Sequence, residues 1–160
     1  MSTIRLVSAL LATATLVATP VAHAAVPAPD DAKVIRGLEM DFGWAVATRK
    51  LDKIMAVYAP DVAAYDTARG GSAYAGAADY RKAWEARLAA YSGPLSVVVT
   101  PGDFVVAGDV AYGLNTWRIG TIGGRQDSVA RVTDILRKDN GAWRIVQEHV
   151  SWQAAPPKVS

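Results

Sequence analysis

The side chains in this chain with the most chemical reach lie near its end. Asp134 falls in the run Val129–Lys138, and Gln147, His149 and Ser151 fall in the run Trp143–Trp152. Both runs are rich in β-branched and aromatic residues and read as strands. Between them stands Asn140-Gly141, whose residues tolerate positive φ and so predict a two-residue hairpin turn. With Asp139 paired to Ala142, Leu136 faces Ile145, Asp134 faces Gln147 and Val132 faces His149. Strict alternation then puts Val132, Asp134, Leu136, Trp143, Ile145, Gln147, His149 and Ser151 on one face. Glu148, Val150 and Trp152 go to the other. The first face is apolar near the turn and polar at its far end. A carboxylate and an imidazole there are costly unless partnered or opened to a cavity, and together they can move a proton or share a ligand. Asp66 follows the short strand Val62–Tyr65 and opens the Gly-rich stretch Asp66–Gly76. It reads either as a general base or as a cap on backbone N–H groups. Ser151 reads as a hydrogen-bonding neighbour, because no Gly-x-Ser-x-Gly surrounds it.

These residues need elements to position them. A helix is expected from Asp30 or Asp31 to about Arg49, with Val34, Ile35, Leu38, Phe42, Ala45 and Val46 forming its apolar stripe. Leu51–Tyr58 reads as a second helix, stopped by Pro60, and Ala77–Tyr91 as a third, with Tyr80, Trp84 and Leu88 on one side. Leu95–Thr100, Phe104–Ala107 and Val110–Ile119 complete the strands, with a tight turn at Gly108-Asp109. Three helices followed by an antiparallel meander predict an α+β domain, with the helices packed on one face of a curved sheet. Trp44, Trp84, Trp117 and Trp143 read as core, and also suit the wall of a pocket for a flat apolar ligand.

The N-terminus predicts a secretory signal peptide over residues 1–24. It has a basic start ending at Arg5, an apolar run Leu6–Ala18 and the small-x-small site Ala22-His23-Ala24. The run breaks at Pro20, short of the ~20 residues that a bilayer needs, so no membrane association is expected after cleavage. A linker over 25–30, one domain over 31–153 and a polar tail over 154–160 follow, in the periplasm or outside the cell. The 17 Lys+Arg against 15 Asp+Glu leave the chain close to neutral, and no basic cluster points to nucleic acid. With no cysteine and two histidines, one of them in the leader, thiol chemistry and a multi-histidine metal site are excluded.

The segment Leu51-Asp52-Lys53-Ile54-Met55-Ala56-Val57-Tyr58-Ala59-Pro60-Asp61-Val62, then Tyr65-Asp66, then Gly141-Ala142-Trp143-Arg144-Ile145-Val146-Gln147-Glu148-His149-Val150-Ser151, resembles the nuclear-transport-factor-2-like superfamily. It is most similar there to the SnoaL-like and ketosteroid-isomerase-like members. The resemblance spans about residues 31–153. It implies a barrel-like cone, a curved antiparallel sheet wrapped around the N-terminal helix and enclosing an apolar pocket. By the same resemblance Asp66 stands where the isomerase keeps its general base, and Asp134 where it keeps a protonated oxyanion donor. Phe42 stands where its oxyanion tyrosine lies and cannot donate a hydrogen bond, which leaves that role to Tyr58 or another donor. The leading expectation is an exported domain that binds a small apolar molecule without a cofactor. Asp66, Asp134 and His149 would form the polar end of its pocket, and Phe42, Tyr58, Trp84, Trp117, Gln147 and Ser151 its walls. The alternatives are a cofactor-independent isomerase, dehydratase or cyclase using Asp66 or His149 as base, and an association module. A homodimer is expected, with Val146, Val150 and Trp152 offering the dimer face.

Overall fold

The computed structural model describes residues 29–68, 71–124 and 128–153. The expected signal peptide, the linker up to residue 28 and the tail from residue 154 lie outside them. Helix α1 (Pro29–Ala47) is followed by α2 (Leu51–Met55), β1 (Tyr58–Asp66), β2 (Ser72–Ala75) and α3 (Ala77–Ala89). Four long strands complete the domain: β3 (Leu95–Ala107), β4 (Val110–Thr121), β5 (Ser128–Asp139) and β6 (Ala142–Trp152). The expected α+β architecture is present, with local differences. The second helix ends at Met55, and Tyr58 already belongs to β1. Pro60 is accommodated because β1 and β6 lose register between Tyr58 and Ala63, where no ladder bond is needed. The Gly-rich stretch contains β2, and β3 is one strand with an irregularity between Pro101 and Phe104.

The strand order is β2-β1-β6-β5-β4-β3. Strands β3 to β6 form the expected antiparallel meander, but β1 joins β6 in parallel and β2 pairs antiparallel with β1. The sheet is therefore mixed. It is also open, with β2 and β3 as free edges, rather than a barrel. Helix α1 packs on β3 at Gly43, where a Cβ would come within 2.8 Å of Val99 Cγ2, so a larger residue would push the helix off the sheet. At the hairpin end, Asp31 accepts hydrogen bonds from Lys138 Nζ at 2.7 Å and Trp143 Nε1 at 3.0 Å. This clips the start of α1 onto β5 and β6. Among the described residues no helix is long and apolar enough to cross a membrane.

The hairpin register departs from the expected one at a single point. Asp139 pairs with Ala142 and Leu136 with Ile145, as the Asn140-Gly141 turn requires. Ile135 then pairs with Gln147, so Val146 is an extra residue on β6, a β-bulge. Beyond it every side chain of β6 faces the opposite way. Asp134 pairs with Glu148 and Thr133 with His149. Glu148, Val150 and Trp152 turn to the helix-covered side, and Gln147, His149 and Ser151 are exposed on the outer face. The dimer face expected from Val150 and Trp152 is thus interior: Val150 is buried and Trp152 packs against the core.

Helix α3 carries much of the interior that follows, and Arg49 holds its C-terminal end. Its guanidinium donates to the carbonyls of Leu88 at 2.5 Å, Tyr91 at 2.8 Å and Gly93 at 2.8 Å. Leu88 is in the last turn of α3, where carbonyls run short of intrahelical partners, and Tyr91 and Gly93 lie in the turn after it, so one cation just past α1 ties down both. Arg49→Met is expected to destabilise the domain by about 1–3 kcal/mol, read as a lower urea midpoint with an unchanged slope.

Candidate functional site

Two connected regions bring polar side chains together. The first is a cluster of buried acids. Glu39 from α1, Asp134 from β5 and Glu148 from β6 are all at most 1% exposed. Glu148 is the best served: Tyr58 Oη donates to its Oε1 at 2.9 Å, and Tyr80 Oη donates to its Oε2. Asp134 Oδ2 accepts from Asn115 Nδ2 at 2.6 Å. Neither carboxyl oxygen of Glu39 has a hydrogen-bond partner among the described residues.

Burial is the main cause that raises all three acids, because a charged carboxylate is poorly solvated there. Glu39 is pushed up to about 8, with Glu148 as a further cause. Asp134 stands well above its ordinary value, by burial and then by the charges of Glu39 and Glu148. Glu148 rises only to about 7, because Tyr80, Tyr58 and Arg87 favour its anion. Burial holds both tyrosines well above the usual phenol range, so they remain neutral donors. The cluster can thus keep protons at neutral pH, and Glu148 is the acid whose anion the neighbours Tyr80, Tyr58 and Arg87 favour. Among the described residues no group of acidic or histidine side chains is arranged to hold a metal ion.

The second region lies around Asp66, at the end of β1. Asp66 Oδ1 accepts from Ala68 N at 2.8 Å and Trp152 Nε1 at 2.8 Å, and Oδ2 pairs with Arg87 Nη2. Oδ1 thus has the capping geometry, with a backbone N–H and an indole N–H converging on it. The Arg87 guanidinium lies 4.7 Å from the Trp84 ring centroid and 5.0 Å from that of Trp152. Burial lowers its pKa, against the opposing charge of Glu148. In front of this pair opens a hollow of about 390 Å³, walled by Tyr74 from β2, Ala83, Ala86 and Arg87 from α3, Tyr91, and Trp152 from β6.

The sequence-derived candidates divide among these places. Asp134 and Tyr58 sit in the acid cluster, and Asp66 sits behind the hollow. Phe42, Tyr58, Trp84 and Trp117 are buried, do not line the hollow, and pack in the core. Phe42 lies 5.0 Å from Trp117 and 5.4 Å from Trp84, and Trp84 lies 5.9 Å from Trp117, centroid to centroid. Gln147, His149 and Ser151 do not join Asp134, because the bulge at Val146 turns them outward. His149 instead meets Tyr65 edge-on at 5.4 Å on the outer face.

Four interior residues escaped sequence reading. Glu39 stands four after Ile35 and three before Phe42, on the apolar stripe itself, so helical spacing alone marks it as buried. Asn115 is in phase with Trp117 and Ile119 on β4, and Arg87 is three residues from Trp84. Glu148 could be found from phase. The apolar residues Trp143 and Ile145 are at odd positions and Val150 and Trp152 at even ones, so only an inserted residue between them can bury both pairs.

Proton binding by the cluster links stability to pH. An ordinary glutamate loses its proton near 4.5, whereas folded Glu39 and Glu148 hold theirs to about 8 and about 7. The folded state binds more protons in between, so stability falls as pH rises from about 4.5 to about 8. Calorimetry is expected to show a Tm lower by ~4 °C or more at pH 8.5 than at pH 5.5. Glu39→Gln should flatten that slope and raise Tm at pH 8.5. A wild-type Tm that is level across this range would contradict the raised carboxyls.

Comparison with known proteins places this geometry. The chain matches the family model of the SnoaL-like domain over residues 36–156. The crystal structure of an NTF2-like protein of unknown function from Pseudomonas putida KT2440 superposes with a TM-score of 0.69 at 26% identity, covering 81% of this chain and 92% of that one. A ketosteroid isomerase-like protein from Erwinia carotovora atroseptica superposes with a TM-score of 0.66 at 14% identity, covering 79% and 99%. A protein of unknown function with a cystatin-like fold from Nostoc punctiforme gives a TM-score of 0.67 at 18% identity, covering 82% and 98%. At such identities the last two show the fold alone. No curated protein sequence matches the chain. The family match covers most of the domain and the fold agrees with it, so the chain belongs to the SnoaL-like domain family of the NTF2-like superfamily.

Proposed function

We propose that this is an exported small-molecule-binding domain that takes a planar, largely apolar ligand into the hollow between α3 and the end of β6. The observation that carries the reading is the hollow itself. Its volume of about 390 Å³ lies within the range of small-ligand sites, and aromatic side chains wall it. The core supports it: Phe42, Trp84 and Trp117 are buried and pack against one another, and the hollow opens to one side of them. The polar end of this site is Arg87 backed by Asp66. Trp152 lines the hollow, so ligand entry is expected to quench tryptophan fluorescence. Ala86 lines the hollow too and is exposed, so Ala86→Phe should fill it without disturbing the core and weaken binding of naphthalene-sized probes about tenfold or more. Undiminished quenching in that variant would place the ligand elsewhere.

A second reading, cofactor-free acid–base catalysis, is supported by Glu148. It is an acid near neutrality held by two tyrosine hydroxyls, which suits a proton-transferring group. Glu148 is 1% exposed, so this reading requires the aromatic layer to part. It predicts that Glu148→Gln abolishes turnover and leaves binding in the hollow intact. Exposed Val105, Tyr112 and Leu114 on the outer sheet face support the homodimer. Leu114→Glu is expected to give a monomer in sedimentation.

A further inference from the structure

We propose that the solvent-facing side of α1, with α2 beside it, docks on the surface of an anionic lipid membrane. Three large apolar side chains stand open there: Val34 is 53% exposed, Met40 57% and Trp44 54%. They lie away from the stripe of Ile35, Phe42 and Val46, which is buried against the sheet. A separate hollow of about 570 Å³ opens next to them, between Val34, Leu38 and Trp44 of α1 and Val57 after α2. Gly37 lines it, and a Cβ there would meet nothing within 4 Å. Glycine inside a helix costs stability, and no contact within the described residues requires it here. It leaves the helix open to close approach from outside. Exposed apolar surface grouped in this way marks an interaction site.

The charges around the surface select its partner. Lys33, Arg36, Lys50 and Lys53 are all exposed there. Lys50 Nζ lies 4.3 Å from the Trp44 ring centroid. Lys33, Arg36 and Lys53 are in no ion pair among the described residues. Of the acids between residues 31 and 53, Asp31 is held by Lys138, Glu39 is buried and Asp52 pairs with Arg81. Asp41 is left as the one open carboxylate. Four cations against one carboxylate fit a negatively charged partner. A second copy seated on this surface would set the cations against their own equivalents. The homodimer through the outer sheet face leaves the surface open, because α1 packs on the other side of the sheet. An anionic membrane supplies dispersed negative charge with an apolar layer beneath it. It therefore meets the scattered cations and the three apolar side chains together, with no register to match. Tryptophan suits such a boundary, and lysine and arginine can lay their stems along lipid while their charges stay among the headgroups. The contact is peripheral, since no helix among the described residues is long and apolar enough to cross a bilayer.

The test is cosedimentation of the protein with extruded vesicles of phosphatidylcholine alone and of phosphatidylcholine with about one-third phosphatidylglycerol. Binding about tenfold or more tighter to the anionic vesicles is expected, and most of that preference should vanish between about 0.1 M and about 1 M salt. Trp44 is the only exposed one of the five tryptophans, so a blue shift of emission on binding reports this surface. Met40→Gln/Trp44→Gln and, separately, Lys33→Glu/Arg36→Glu should each weaken vesicle binding about tenfold or more. All four side chains are exposed, so the thermal midpoint should not move. Equal binding to the two vesicles, no binding to either, or undiminished binding in either variant would overturn the proposal. Soluble poly-L-glutamate bound as tightly as the anionic vesicles would overturn it too, and would assign the surface to an acidic polypeptide.

Discussion

The direction in which the second half of β6 faces is set by one inserted residue, Val146, and the interior of the domain depends on it. Before the bulge, Trp143 and Ile145 point inward. After it, Glu148, Val150 and Trp152 do. An unbroken strand could bury one of these sets and would expose the other. The bulge lets both face the helices, and by the same step it sends His149 to solvent. It places Glu148 opposite Asp134 and within reach of Tyr58 and Tyr80, and it delivers the Trp152 indole to Asp66.

The polar interior built this way has two different electrostatic solutions. Around Asp66 charge is met by charge and by N–H donors: an arginine, an indole and a backbone amide complete the carboxylate. Around Glu39 and Asp134 no cation is supplied, and the cheaper state is the protonated acid. Glu148 stands between, with tyrosine donors on both oxygens and the Arg87 charge acting on it. Such a core is less stable than a fully apolar one of the same volume. A cluster of this kind in a domain with ample aromatic material fits a role beyond packing.

Much of the scaffold was legible in the chain. The 3.6-residue spacing of Ile35, Phe42 and Val46 gave α1, and the Asn140-Gly141 turn gave the hairpin and its first pairs; of the tryptophans read as core, Trp84, Trp117 and Trp143 are buried and Trp44 is exposed. Asp134 faces inward as the register count required, since it lies on β5, the strand without the extra residue. What failed lies on β6 past Val146. A turn fixes register only as far as the ladder stays regular, and the turn residues carry no information about a bulge several positions away. The phase change between Trp143/Ile145 and Val150/Trp152 was the signal for it. Strand β2 was hidden by glycines that read as a loop, and Arg87 by its place on a helix with mostly small and charged neighbours. The expectation of an open pocket among Phe42, Trp84 and Trp117 failed for a simpler reason. Ring count shows how much aromatic surface there is, not whether the rings stand apart or close on one another.

The measurement that bears most directly on this account is NMR mapping of the isotope-labelled domain during titration with a planar aromatic probe. If β6 is bulged at Val146 and the hollow holds the ligand, the largest shifts fall on the Trp152 indole N–H, the Arg87 guanidinium and the backbone amides from Ala86 to Tyr91, with His149 and Gln147 unmoved. Largest shifts at Gln147, His149 and Ser151 would contradict both the inward turn of Trp152 and the site built on it.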